Sequence, residues 1–545
     1  MKSAFFLAAV AAVTASVLVA CGGGGPASPV VPPAQTTSGN GGISGTPSGF
    51  KYDASGLQGA TYVGVASVAS ISVDLVPRMQ NSAGLLQYAA QANDPANANY
   101  RHFLTPQEIG DRYGASAANY AASVKYFQAQ GLSVATWPQR LLLHVTGSQA
   151  KMQAALHTTF AWYSKNSSVF LAPSATPAPP ASAEVIGAIN IVMHPTSFAD
   201  YVVVNGSATN GILYGYSPEQ IATAFDYNSA YAAGYTGAGI TAGVIGTAGM
   251  DPLDVSAYRS TYHITGSGTV TQVSATDANA PGNTALGFAS PPPLTGPCGS
   301  GISPYEPSVT CNPEDIETQL DTEQIASLAP NANLRYYLAY NPNDGCGEVG
   351  VDCPPGAGVP LQGLYEYNAE LETAIADNRA DVLSLSFGGP EAANVGYEFN
   401  SGGGGITPLE FAALASEGVA VFVSSGDSGA EACQTWSSAP DPDALCVSYP
   451  STDPNVVSVG GVNTPLNTAG QFIGGITGWG FRTSNGFDGS GGGVSAYFAL
   501  PAFQQGAVGI SGTMRNVPDI ALDADALTGV AVLLYGDPAL GASQV

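Results

Sequence analysis

The chain has 545 residues, long enough for two or three domains with cores of their own. Only 10% of them are charged, and 14 Lys and Arg stand against 40 Asp and Glu, a formal net charge of −26 with a pI near 4.2. That balance argues against nucleic acid or an anionic membrane surface as partner and suits an extracellular protein in acid, where protonation relieves self-repulsion.

Residues 1–20 read as a signal peptide: Lys2, an apolar run from Ala4 to Ala20, and the ending Leu18-Val19-Ala20-Cys21. The run is too sharply bounded for a stable membrane span. Two readings stay open: a lipoprotein leader of bacterial type, with Cys21 the lipid-bearing first residue, or an ordinary leader followed by a chance cysteine. Residues 21–50, rich in Gly, Pro, Ser and Thr, form a flexible tether.

Residues 51–197 have ordinary globular composition. Helices are expected at Leu85–Ala92, Ala118–Gly131 and Gln149–His157, and strands at Ser133–Thr136 and Leu141–Thr146, which together make a compact α+β domain. Residues 198–216 read as an exposed connector. A second domain, 217–545, opens at Ser217-Pro218, an N-cap followed by Pro at the first helical position. Apolar strand-like runs follow at Ile240–Ile245, Leu334–Ala339, Val382–Leu385 and Val419–Val423, separated by helical patterns such as Leu361–Asn378 and Leu409–Glu417. This alternation predicts a parallel sheet covered by helices, with ligand sites at the carboxyl ends of the strands. No lysine occurs after Lys165, which excludes a Walker phosphate loop and a Ser–Lys dyad from the second domain.

Between two of those strands lies Glu314–Pro330. As a helix it places Glu317 and Asp321, four residues apart, on one face, with Ile316, Leu320 and Leu328 beside them and Pro330 as the stop. Two stacked carboxylates do not both ionise cheaply, so the pair can hold and pass a proton. An acidic, solvated first turn of a helix is the plainer alternative. Val421 to Gly429 is a buried strand running into the turn Ser425-Gly426-Asp427-Ser428-Gly429, which presents Asp427 at the carboxyl edge of the sheet. A trypsin-like role for Ser428 would need a His base, and the second domain offers only His263 in an ordinary context. Ser386-Phe387-Gly388-Gly389 follows the strand Val382–Leu385, with glycines that let a substrate backbone come close. Past the leader stand Cys298, Cys311, Cys346, Cys353, Cys433 and Cys446, an even number that implies disulfides. Nearest neighbours would close three short loops, although fifteen pairings are possible. No Cys-x-x-Cys occurs and no His stands near, so a zinc site is not expected.

Taken together, these motifs resemble the sedolisins, serine-carboxyl peptidases with a subtilisin-like fold. The likeness adds Ser448–Pro454 leading into Ser458–Gly461, the Ser490–Phe498 loop, and Arg515-Asn516-Val517-Pro518-Asp519. The first domain, through Tyr100–Pro106 and Gly131–Val134, resembles the family's activation propeptide. The resemblance implies an α/β fold, a subtilisin-like parallel sheet flanked by helices and incomplete at its C-terminus, after an α+β, ferredoxin-like propeptide. It implies Glu317 as general base, Asp321 as the residue that orients it and holds the shared proton, and a protonated Asp427 as donor to the oxyanion. Ser386, Phe387 and Gly388 would line the substrate cleft, Phe387 standing where a Trp is common. Self-processing in the connector would separate the propeptide, with protonation of interface carboxylates weakening its ion pairs. No Gly-Thr-Ser, the family's nucleophile motif, occurs in the chain; Gly541-Ala542-Ser543 is a conceivable degenerate version, and the expectation is that the chain stops before the motif. The family's calcium site would lie further on still, so no metal or cofactor is expected within these residues. The implied function is an exported acid endopeptidase zymogen acting on proteins or peptides, partnered by its own propeptide and by a membrane only through a lipid on Cys21. The alternative is a catalytically inactive peptidase-fold lipoprotein that binds peptides or partners.

Overall fold

The computed structural model describes residues 50–52, 54, 57–68, 70–165, 168–189, 191–192, 212–213, 215–246, 252–275, 316–338, 367–391, 405–435, 445–483, 486–510, 512–525 and 528–533. The leader, Cys21, the tether, most of the connector, Ser543 and four of the six remaining cysteines fall outside them.

The first domain runs β1 (Thr61–Val65), β2 (Ile71–Pro77), α1 (Ser82–Ala92), α2 (Pro106–Arg112), α3 (Ala117–Ala129), β3 (Ser133–Thr136), β4 (Leu143–Gly147), α4 (Gln149–Leu156), β5 (Phe160–Lys165), β6 (Ser168–Pro173) and β7 (Val185–Ile189). β2 is buried along its whole length and lies inside an antiparallel sheet ordered β3-β4-β2-β7. Helices intervene between β2 and β3 and between β4 and β7, which is the ferredoxin-like order. A second sheet, β1-β5-β6, extends this half. Local chemistry starts the helices: Thr105 and Glu108 cap each other reciprocally ahead of Pro106, so α2 begins with its first donors satisfied. Phe127, Val73, Val145, Phe160 and Trp162 form the core. On the face of the sheet opposite this core the cross-strand neighbours Asp74 and His144 pair at 2.8 Å.

The second region contains β8 (Ile212–Leu213), α5 (Pro218–Ala224), α6 (Tyr227–Ala232), β9 (Thr241–Ile245), α7 (Pro252–Thr261), β10 (Val270–Ser274), α8 (Ile316–Leu328), β11 (Asn333–Leu338), α9 (Tyr367–Asp377), β12 (Val382–Leu385), β13 (Gly389–Pro390), α10 (Ile406–Glu417), β14 (Ala420–Ser424), β15 (Ser448–Tyr449) and β16 (Val456–Asn463). Ser217 caps α5 as its sequence promised, its hydroxyl accepting from the Gln220 amide and its own amide donating to Gln220 Oε1. The strands assemble in the order β10-β11-β9-β12-β14-β16, followed by Ile520–Asp523, all parallel. From β9 the chain winds to one side through β10 and β11, and from β12 to the other. The carboxyl ends of β9 and β12 therefore flank a topological switch point, the place where such sheets open a crevice. β8 pairs antiparallel with Val532–Leu533, and Tyr216 exchanges backbone hydrogen bonds with Gly529 and Ala531.

The two halves share one apolar cluster, in which Leu85, Ala89, Leu104, Trp137 and Leu142 of the first pack with Leu371, Ile375, Leu409, Phe411 and Ala412 of the second. α1 lies along α10. Polar contacts stitch the seam: the Leu104 amide donates to the Ser416 carbonyl at 2.8 Å, Asn93 Nδ2 to the Ala415 carbonyl at 3.0 Å, Trp137 Nε1 to Thr373 Oγ1 at 3.0 Å, and Gln139 Nε2 to both the carbonyl and Oε2 of Glu372 at 2.7 Å. The arginine–carboxylate pairs Arg78–Glu184, Arg112–Glu108, Arg140–Asp111, Arg335–Asp377 and Arg515–Asp519 each lie within one half. Amides and a hydroxyl carry the polar contacts across the seam named here.

Candidate active site

The site is assembled on the carboxyl edge of the sheet from one helix and two strand ends. α8 begins at Ile316 and buries Gln319, Thr322, Glu323 and Ala326 against the sheet and its neighbours. Gln324 reaches the Tyr258 hydroxyl at 3.2 Å and the Ala531 carbonyl at 3.1 Å, which fixes the helix from the side. Glu317, in the first turn, and Asp321, one turn on, are half-buried at the margin of that packed face.

Asp321 meets the end of β12. Ser386, the first residue after that strand, donates its hydroxyl to Asp321 Oδ1 at 2.7 Å. A hydrogen bond to a carboxylate is charge-assisted and stronger than a neutral one, so it holds the aspartate in one orientation and leaves its second oxygen for another partner. The family resemblance implied only a place in the substrate cleft for Ser386; how far across the sheet edge α8 reaches is set by tertiary packing that no local pattern carries. Phe387 turns its ring against Tyr367 at the start of α9, centroids 5.2 Å apart. Gly388 is exposed, and beyond it β13 pairs antiparallel with β15.

Asp427 comes to the same edge from β14, the neighbour of β12. The turn that carries it is sewn to the Ser490–Gly493 loop: Gly491 donates to the Gly426 carbonyl and Gly489 to the Asp427 carbonyl, both at 2.6 Å, and Ser425 Oγ donates to the Gly491 carbonyl at 2.8 Å. Gly426 has φ +96°, and a Cβ there would lie 2.4 Å from Ser448 Oγ. A Cβ on Gly491 would sit 1.9 Å from the Ser425 carbonyl, so the two loops can lie together only with glycine there. The outcome is a rigid backbone that presents an exposed Asp427 side chain. The Ser490–Gly493 stretch is thus a structural partner of that turn.

A further carboxyl was not singled out in the sequence. Glu391, just past β13, is buried and receives the Ser495 hydroxyl at 2.5 Å and the Ala496 amide at 2.9 Å; burial raises its pKa. It pins the Ser490–Phe498 loop, whose Phe498 stacks on Tyr449 with centroids 5.9 Å apart. The Arg515–Asp519 motif closes the rear of the sheet: Arg515 is fully buried on Asp519, whose Oδ2 also accepts from the Ser458 amide at 2.8 Å. Cys433 and Cys446 are bonded to each other on the loop after Asp427. Among the described residues no group of three or more His, Cys, Asp or Glu is placed to hold a metal ion. No helix among them is long and apolar enough to cross a membrane.

Residues 59–198 match the family model described as Pro-kumamolisin, activation domain. Over 473 residues the chain is 26% identical to sedolisin from Pseudomonas sp. (strain 101), covering 84% of this chain and 71% of that protein. Over 547 aligned positions it is 25% identical to xanthomonalisin from Xanthomonas sp. (strain T-22), covering 92% of this chain but 58% of the relative. Among solved structures it is similar to Pseudomonas sedolisin (serine-carboxyl proteinase) complexed with two molecules of pseudo-iodotyrostatin, at 22% identity and a TM-score of 0.42, covering 60% of this chain and 73% of that one.

Proposed function

The chain belongs to the sedolisin family of peptidases, and from that membership we propose that it is the zymogen of an exported, acid-acting serine-type endopeptidase whose activation domain precedes its catalytic domain. In this reading Glu317 is the general base for the serine, Asp321 orients it and holds the shared proton, and Asp427 donates to the oxyanion in its protonated form. Ser386, Phe387 and Gly388 line the cleft. The observation that carries the proposal is the Ser386–Asp321 hydrogen bond, which ties the acidic face of α8 to the strand end beside the one that presents Asp427. A carboxylate base works where its partner keeps a proton, and ordinary carboxyl pKa values near 4 put that range in acid. No serine is assigned as nucleophile, because no Gly-Thr-Ser occurs in the 545 residues.

The test is turnover of a denatured protein substrate at about pH 4 by the product of the complete reading frame. Glu317→Ala, Asp321→Ala and Asp427→Ala should each lower kcat by roughly 10²-fold or more. Near-normal turnover by Asp427→Ala refutes its oxyanion role, and near-normal turnover by Glu317→Ala refutes the base. In the same reading a lipid on Cys21 holds the zymogen at the membrane, and cleavage between Pro195 and Ser217 frees the catalytic domain. Cell fractionation with antibodies to each domain should find the catalytic domain soluble after acid exposure; a catalytic domain that stays membrane-bound and uncut rejects the release step.

A further inference from the structure

We propose that residues 212–217 are a strap belonging to the catalytic domain, which positions the acidic face of α8 through Ala531 and Gln324, so that the cut releasing the activation domain falls on the N-terminal side of Ile212. The existence of a cut rests on the zymogen reading; the strap and its hold on α8 rest on their contacts alone.

The expected connector, 198–216, ends in residues with fixed partners. β8 pairs antiparallel with the end of the described chain, Leu213 opposite Val532 and Ile212 opposite Leu533. Further on, the Tyr216 amide donates to the Gly529 carbonyl at 2.8 Å, and the Ala531 amide donates to the Tyr216 carbonyl at 3.0 Å. Gly215 lies so close to this segment that a Cβ on it would stand 2.3 Å from the Val530 carbonyl carbon. A side chain there would push one backbone off the other. The Tyr216 hydroxyl accepts from the Leu466 amide at 2.8 Å, and Ser217 then caps α5.

The partner segment 529–533 is held in turn by the helix that carries the acids. Ala531 and Val532 are buried. The Ala531 amide goes to the strap, while its carbonyl accepts from the Tyr258 hydroxyl on α7 at 3.0 Å and from Gln324 Nε2 on α8 at 3.1 Å. Gln324 Nε2 also reaches the Tyr258 hydroxyl at 3.2 Å, which closes a triangle of hydrogen bonds. One residue thus joins the strap on its N–H side to α8 on its C=O side.

The place of Gln324 on α8 gives this junction its consequence. Seven positions after Glu317, it returns to within about 20° of Glu317 around the helix axis, and Asp321 lies about 40° to the other side of Glu317. The anchor therefore sits on the stripe that bears both acids. A hold on that stripe sets the rotation of the helix, and with it the direction in which the two carboxyls point. Misplacing a reacting group by about 1 Å can cost roughly 10²-fold in rate, so a small loosening matters for chemistry before it matters for folding. A cut between Ile212 and Ser217 would break the strap and bring a charged ammonium group against the buried 529–533 backbone. A cut before Ile212 leaves the strap whole.

The experiment is amide hydrogen exchange on the full chain, comparing wild type with Gly215→Ala and Gln324→Leu. Gly215→Ala should speed exchange of the Ala531 amide about tenfold and of the α8 peptide, Ile316–Leu328, about threefold or more. Gln324→Leu should speed the α8 peptide by a similar factor. The Leu104 amide, which crosses the seam to Ser416, and the Tyr120 amide inside α3 should keep their wild-type rates. An α8 peptide that is unchanged in both variants overturns the positioning role, and so does an acceleration shared equally by Leu104 and Tyr120. Should Gly215→Ala fail to fold, Gln324→Leu decides alone. In the enzyme from the complete reading frame, Gln324→Leu should lower kcat roughly tenfold with KM within about twofold; a loss carried by KM instead overturns the assignment. N-terminal sequencing of the active peptidase should find its first residue at or before Ile212, and an active peptidase that begins after Leu213 refutes the placement of the cut. The exchange needs no turnover, so it decides the strap even in an inactive chain, while failure of the zymogen reading shows separately in the hydrolysis assay.

Discussion

Two sets of acids face the same sheet and are treated in opposite ways. Glu317, Asp321 and Asp427 stand half-buried or exposed at the carboxyl edge, where one hydroxyl and a stitched turn orient them without sealing them off. Glu372, Glu410 and Glu417 lie on α9 and α10 with their carboxyls covered, and Glu372 is met by Gln139 of the first domain. Residue type does not separate the sets; the covering layer does. Carboxyls left in contact with water can exchange protons during a reaction, whereas those sealed at the seam exchange only when the seam opens.

A third arrangement sharpens the contrast and gives the largest expected effect. Asp519 is a largely covered acid that does own a cation, the fully buried Arg515. Arg515→Met removes that partner and leaves a largely covered carboxylate with only the Ser458 amide and Gln504 Nε2 as donors, which should cost about 3–5 kcal/mol of stability in urea unfolding at pH 7. A loss below about 1 kcal/mol would mean that water reaches Asp519 and that the pair belongs with the exposed set. Next in size, Ser386→Ala should lower kcat/KM by roughly tenfold in the enzyme from the complete reading frame through loss of one charge-assisted hydrogen bond, with folding stability nearly unchanged. Ser386→Thr should recover most of it, which a mere cleft-lining role would not predict. The smallest effect belongs to the seam: Trp137→Phe deletes the bond to Thr373 but keeps the ring, and should weaken docking by about 1 kcal/mol, read from the same amide exchange. An effect as large as that of Arg515→Met would place the strength of the seam in hydrogen bonds rather than in its apolar cluster.

Much of this was legible in the chain. Ser133–Thr136 and Val382–Leu385 are strands with the expected bounds, because short apolar or alternating runs next to polar breaks leave little choice. Ser217-Pro218 starts a helix as read, since a capping box is local chemistry. The acidic face of α8 was visible because spacing alone sets it. The seam was not visible. The helix of α9, Tyr-Asn-Ala-Glu-Leu-Glu-Thr-Ala-Ile-Ala-Asp, carries acids that its sequence alone would send to solvent, and Glu372 is met by Gln139 of the first domain, more than two hundred residues upstream. Likewise the union of Ser425–Gly429 with the Ser490–Gly493 loop depends on distant backbone meeting backbone, which no local pattern records.

The short pairing of Ile212–Leu213 with Val532–Leu533 carries a consequence for biosynthesis. At ribosomal speeds of about 5–20 residues per second, the second of these strands appears roughly 15–60 seconds after the first. The activation domain, complete well before then, is available as a finished surface while the catalytic sheet is still gaining strands. This end of the connector must wait for its partner throughout that interval. The chain thus offers α9 and α10 to an earlier-completed surface before its last strands are made, so the order of the codons itself schedules assembly from the seam outward toward the carboxyl edge of the parallel sheet.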